Sequence, residues 1–245
     1  MFEIYKREIG SFFNSLTGYL VIIVYQLVNS LFMWVLPGDW NILESSYAGL
    51  DTLFLLSPWI FLFLVPAVSM RTLADEKRSG TLELLLTRPL SERQIIYGKY
   101  LAAVSLVVLA LLPGIIYYIS VYYLGEVPGN LDSGGILGSY LGLLFLASIY
   151  AACGVLASSL TDNQVVAFIL AVLISLIMYI GFDVLAMLPG LKKIDEIIVS
   201  MGINEHYRSM SRGVVDIKDI TYYLACILIL METCRLVLVS GKWKK

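Results

Sequence analysis

The residues of this chain whose types and spacing could do chemistry are few, and most lie together. Residues 71–99, RTLADEKRSGTLELLLTRPLSERQIIYGK, hold six Lys and Arg and four Asp and Glu between two runs without a charge. Leucines at the centre with carboxylates and cations around them read as a segment built to touch something rather than merely to connect. They are not spaced for catalysis. His206 is the only histidine, and no cysteine or acidic cluster accompanies it at ligand spacing. No nucleophile–histidine pair falls within the apolar runs. A phosphate loop of the form G-x-x-x-x-G-K-[ST] is missing from the sequence. The chain is therefore expected to bind no metal or cofactor and not to hydrolyse ATP itself.

What positions the charged island is a set of apolar helices. The 245 residues are 59% apolar and 15% charged, with a mean hydropathy of +0.82. A soluble domain is about 45–50% apolar and about 25% charged, so this composition describes an integral membrane protein. Net charge is −2, which leaves no basic surplus for nucleic acid. About 20 apolar residues span the hydrocarbon. Residues 16–36, 52–70, 100–124, 135–161 and 163–182 carry no charge, and 220–239 carry only Glu232 and Arg235. These are six expected spans, which put both termini on one side. If that side is the cytoplasm, the inner segments hold 11 Lys and Arg against 5 outside, all 5 in residues 189–219. The positive-inside bias favours this orientation, in a plasma membrane.

Residues 1–15 alternate with helical period. Phe2, Tyr5, Ile9, Phe12, Phe13 and Leu16 are expected on one face, and Glu3, Lys6, Arg7, Ser11 and Asn14 on the other. This predicts an amphipathic helix lying in the membrane interface. Nothing there resembles a removable signal peptide. Cys153, Cys226 and Cys234 all fall in apolar runs and read as small packing residues rather than disulfide partners.

Within the island, residues 71–77 can continue the second span's helix. Ser79-Gly80 breaks it. Thr81 can start a short helix with Glu83 and Leu84 in its first turn, ending before Pro89. Ser91 and Gln94 have the spacing of a capping box for a third helix that runs into span three. A solvated connector is the plainer reading. It does not explain LELLL, whose side chains need cover from the bilayer interface or from a partner.

The run from Glu76 to Ser91, EKRSGTLELLLTRPLS, followed by Gln94-Ile95 and Gly98-Lys99, resembles the first cytoplasmic loop of type-2 ABC exporter permeases. The pattern is E-x-x-x-G-T-x-E-x-L-L-T-x-P-x-S. The likeness extends over the whole chain in layout and is greatest to the permeases of gliding motility and of nitrous-oxide-reductase maturation; residues 205–214 add to it. The resemblance implies an all-α polytopic fold, a single permease domain over residues 1–245 with a coupling helix between spans two and three. It also implies docking of Glu76, Gly80, Thr81, Leu82, Glu83, Leu84, Leu85 and Thr87 on a separate ATPase subunit. ATP and Mg would be held by that partner. A dimer with a second copy or a related permease is implied, and an extracytoplasmic accessory protein is a further candidate partner. A membrane-embedded enzyme and a secondary transporter remain as alternatives. The first lacks an acid–base or metal cluster, and the second has only Pro66 and Pro113 for midplane breaks.

Three further features stand out. Gly134, Gly138 and Gly142 form overlapping G-x-x-x-G steps, a packing seam either within one subunit or between two. Glu232 and Arg235 share a helix face, as a structural anchor or as part of a path. Residues 189–219 read as short helices at 191–201 and 204–210 split by Gly202, either dipping into the outer leaflet, capping an exit or forming a surface loop.

Overall fold

The computed structural model describes residues 1–45, 47–86, 90–127, 129–213 and 215–242. Helices α1 (Phe2–Asn14) and α2 (Leu16–Ser30) are divided at Ser15, whose Oγ accepts from the Thr17 N–H. Then come α3 (Asp51–Ser69), α4 (Arg71–Arg78), α5 (Thr81–Leu86) and α6 (Glu92–Leu111). The chain continues through α7 (Ile115–Leu124), α8 (Ser133–Leu160) and α9 (Gln164–Leu176). It ends with α10 (Phe182–Ala186), α11 (Asp195–Ser200), α12 (Ile203–Ser211) and α13 (Ile217–Lys242). No strand occurs among the described residues. Among the described residues, six helical stretches are long and apolar enough to cross a membrane: Leu16–Val35, Asp51–Arg78, Glu92–Leu124, Ser133–Leu160, Gln164–Ala186 and Ile217–Ser240.

Side-chain caps start three further helices where the sequence offers them. Ser91 and Gln94 close a reciprocal capping box on α6, Asp132 accepts from the Gly135 N–H on α8, and Asn163 accepts from the Val165 N–H on α9. Pro113 interrupts span three as a short 3₁₀ turn, Leu112–Gly114, between α6 and α7. Tyr140 donates to the Gly114 carbonyl at 2.8 Å across that interruption.

The bundle is built around α8. Every residue from Leu146 to Ser159 is buried, and many are small. Gly154 faces α3 so closely that a Cβ there would lie 1.7 Å from Ser69 Oγ. Small residues let membrane helices approach to van der Waals contact without a hydrophobic driving force. At the end of the bundle opposite the charged loop, α12 is sunk into the bundle rather than lying on it. Ile203, Asn204, Tyr207 and Met210 are buried, and Tyr207 donates to the Phe54 carbonyl of α3 at 2.8 Å. The split at Gly202 matches the sequence reading. The reading of this half of the segment as a plain surface loop is corrected, because α8 presents glycines that admit α12.

Candidate functional site

Helix α4 carries the second span beyond the bundle, and four other helices grip it. At its start, Ser158 Oγ of α8 accepts from the backbone N–H of Leu73 and of Ala74, each at 2.9 Å, and donates to Met70 O at 2.8 Å. This hydroxyl acts as an N-cap supplied by another helix, since first-turn N–H groups lack partners within their own helix. On one flank, Lys77 donates to the Ser159 carbonyl, and Gln164 of α9 donates to Asp75 Oδ1.

The other flank holds a buried ion cluster. Lys99 of α6 is only 1% exposed. Its Nζ lies 2.9 Å from Glu8 Oε1 of α1 and 3.0 Å from Glu76 Oε1 of α4, and it donates to the Thr72 carbonyl. Arg7 pairs with the same Glu76 oxygen and lies 3.0 Å from Glu8 Oε1. Two cations and two carboxylates thus balance in charge. An ammonium at this depth is tolerable only when it is paired and hydrogen-bonded. The cluster joins α1, α4 and α6. Where α1 crosses α6, Gly98 leaves room: a Cβ there would stand 3.1 Å from both Ile4 and the Met1 carbonyl.

This changes the expected face of α1. Ile4 and Phe12 are buried against the bundle and Glu8 turns inward with them, whereas Phe2 is 61% exposed and carries Lys6 Nζ 4.6 Å above its ring. The helix packs on α6 through a face that contains a carboxylate. A periodicity of apolar residues alone cannot identify such a face.

At the end of α4 the chain turns at Gly80, with φ +69°. A Cβ there would meet nothing within 4 Å, so glycine is required by backbone conformation and not by space. Ser79 Oγ donates to the Asp75 carbonyl at 2.8 Å and sits 2.8 Å from the Thr81 hydroxyl. Helix α5 then lies back on the bundle. Leu82 and Leu85 are each 8% exposed. Leu85 packs with Ile4 and Ile95, beside Leu90. These two leucines, expected as anchors for a partner, face inward here and seat α5 on its own chain. Thr81 and Glu83 are exposed. Of Leu84 the structure describes only the helical backbone, and Thr87 lies outside the described residues.

Glu232 and Arg235 pair at 2.7 Å, and Glu232 also accepts from Arg93 Nε at 2.9 Å. Arg93 stands in the first turn of α6, so the pair ties span six to the end of the charged loop.

The glycine seam is used within the chain. A Cβ at Gly138 would lie 2.4 Å from Met210 O, and one at Gly142 would lie 3.1 Å from the Tyr207 ring. Helix α12 therefore occupies the positions that a second copy would need. A Cβ at Gly134 would meet only Asp132 Oδ1, at 3.5 Å, although a Cβ at Gly213 would stand 3.2 Å from the Gly134 carbonyl carbon. His206 lies 2.7 Å from Asp219 through Nδ1 and 2.9 Å from the Ser200 carbonyl through Nε2, with its ring stacked on Tyr222. It joins α12 to α13. The acidic partner is 13 residues away in sequence, beyond any ligand-spacing pattern.

The family model described as ABC-2 family transporter protein matches residues 3–235. The chain belongs to that family. This makes it a membrane permease of an ABC transporter, a multi-pass protein whose family implies partnership with an ABC ATPase subunit. Comparison with curated proteins returns no match. In the permease, the loop singled out by its charges is the α4–α5–α6 unit, bonded to α1, α8, α9 and α13.

Proposed function

We propose that this permease couples ATP hydrolysis in a separate subunit to export, or to motion passed across the membrane, with α5 as the docked helix. ATP and Mg belong to that ATPase partner, and two permease copies or two related permeases form the working unit. The orientation follows the basic bias, with α1, α5 and the termini in the cytoplasm and the membrane being the plasma membrane. The likeness of the charged loop and of residues 205–214 to gliding-motility and nitrous-oxide-reductase-maturation permeases supports placing it in that branch. An accessory protein on the outer face is compatible with this reading.

The observation that carries the proposal is the grip on α4. A displacement applied at α5 reaches α4 through a two-residue turn. From α4 it passes to α1 and α6 through the Lys99 cluster and to α8 through Ser158. A connector loop has no need of such bonding. A packed, discretely bonded element is the kind of structure that transmits a conformational change instead of absorbing it.

The test is a distance measurement between spin labels on α1 and α12 in the complex with its ATPase. ATP should shift that distance in the native permease. In Lys99→Met it should not, although the ATPase still co-purifies. No ATP-dependent shift in the native complex, or ATP hydrolysis by the isolated chain, overturns the proposal.

A further inference from the structure

Spans three and four enclose a groove of about 510 Å³ that the coupling reading does not use. Its walls run from Val108 to Tyr118 on one side and from Ser133 to Leu144 on the other. They are almost wholly Val, Leu, Ile and Tyr. Span three is interrupted beside it, at Leu112–Gly114. Leu111 at 8% exposure lies at its floor, while Leu112, Ile115 and Leu137 are 50–62% exposed at its lips. All belong to helices long and apolar enough to cross the membrane, so the lips face hydrocarbon.

We propose that this groove holds one acyl chain of a phospholipid from the leaflet opposite the chain termini. Three observations select that occupant. The first is length. Along α8, Ser133 to Leu144 rises about 16 Å at ~1.5 Å per residue, close to half of the ~30 Å hydrocarbon layer. The groove begins at the membrane end of span four and stops near the midplane, the depth of a single chain. The second is lining. The walls are Val, Leu, Ile and Tyr with Ser133 at one end, which offers a hydrocarbon chain dispersion contact along its length. The third is the placement of small residues. Helix pairing in lipid needs them, but Gly138 and Gly142 of this same helix face α12. The polar rim agrees with the orientation: Tyr118 and Ser133 hydroxyls meet at 2.9 Å at the open end, level with where the chain's ester would lie. This inference does not depend on ATP coupling.

The test uses the full-length permease in phosphatidylcholine vesicles containing a small fraction of phosphatidylcholine with a diazirine on its acyl chain. After illumination, adducts should concentrate on residues 108–118 and 133–144 and saturate as the probe fraction rises. Ile136→Trp, and the milder Leu141→Phe, should abolish that excess while adducts on the lipid-facing surface of span five stay unchanged. Groove adducts that rise in proportion to probe, as those of span five do, would mean ordinary surrounding lipid and overturn the proposal. Efficient disulfide cross-linking between Leu137→Cys chains would assign the groove to a second copy and overturn it as well.

Discussion

The Lys99 ammonium stands 3.0 Å from the Glu76 carboxylate, at 1% exposure for the lysine and 14% for the glutamate. The pair joins the limb of span two to the first turns of span three, and Glu8 extends it to the N-terminal helix. Removing one partner of a buried ion pair is costly, about 3–5 kcal/mol, because the remaining charge is left uncompensated. Lys99→Met should therefore lower the thermal midpoint of the detergent-solubilised permease clearly. Adding Glu8→Gln to it should recover part of that loss, since Arg7 and Glu76 then balance each other. Fluorescence-detected size exclusion after heating reads both. An unchanged midpoint in Lys99→Met would show that the cluster holds nothing together.

Gly80 tests the turn. Its φ of +69° costs an ordinary L-residue about 1–2 kcal/mol, and Asn tolerates it best. Space is not limiting there. Gly80→Asn should keep ATP-dependent activity close to native. Gly80→Val should lose most of it while the ATPase still co-purifies, because α5 stays present but is misaimed. Equal behaviour of the two variants would place the constraint elsewhere.

Helix α5 separates seating from docking. Leu82 and Leu85 are buried in their own chain, and Leu→Ala in such positions costs about 2–5 kcal/mol. Leu85→Ala should loosen α5 from Ile4 and Ile95, raising hydrogen exchange in residues 81–86. Glu83 is exposed on the other face. Glu83→Arg should weaken co-purification of the ATPase in a salt-dependent way, as rim charges do. Loss of co-purification in Leu85→Ala without any rise in exchange would mean that Leu85 meets the partner directly.

The sequence made the grammar of the charged loop legible because each signal there is local. The Ser79-Gly80 break, the start at Thr81 and the Ser91–Gln94 box depend on neighbours within a few residues, and all three appear in the structure. The six spans were legible for the same reason. The bonds that bind the loop into the bundle were not. Ser158 reaches Leu73 across 85 residues and Lys99 reaches Glu8 across 91, separations at which no periodicity speaks. A trace of them was present even so: Lys99 borders the third apolar run, and Glu8 interrupts the apolar face of residues 1–15. Charges in such places need partners. Burial also decided what composition left open. LELLL required cover, and its own chain supplies it at Leu82 and Leu85.

The orientation is open to direct labelling. Ile197 on α11 is 64% exposed, and Ser79 is exposed at the opposite end of the bundle. In intact cells, an impermeant thiol reagent should mark Ile197→Cys at once and Ser79→Cys only after permeabilisation. The reverse pattern would place α5 outside, away from any ATP.

The glycine seam distinguishes a fold device from a dimer device. A side chain at Gly138 meets the Met210 carbonyl at 2.4 Å, an immovable backbone atom, whereas Gly134 offers space. Overpacking of this kind costs about 1–3 kcal/mol or more. Gly138→Leu should therefore expel α12 from its seat, freeing the Tyr207 hydroxyl from the Phe54 carbonyl. A cysteine at buried Met210 would then react with an impermeant reagent. Gly134→Ala should leave that cysteine protected. Gly142→Ala should fall between them, because its neighbour at 3.1 Å is the Tyr207 ring, which can yield by a few tenths of an ångström. A seam serving a dimer would behave differently: Gly138→Leu would dissociate the copies while Met210→Cys stayed unreactive. That result would remove α12 from the seam and return the glycines to the subunit interface.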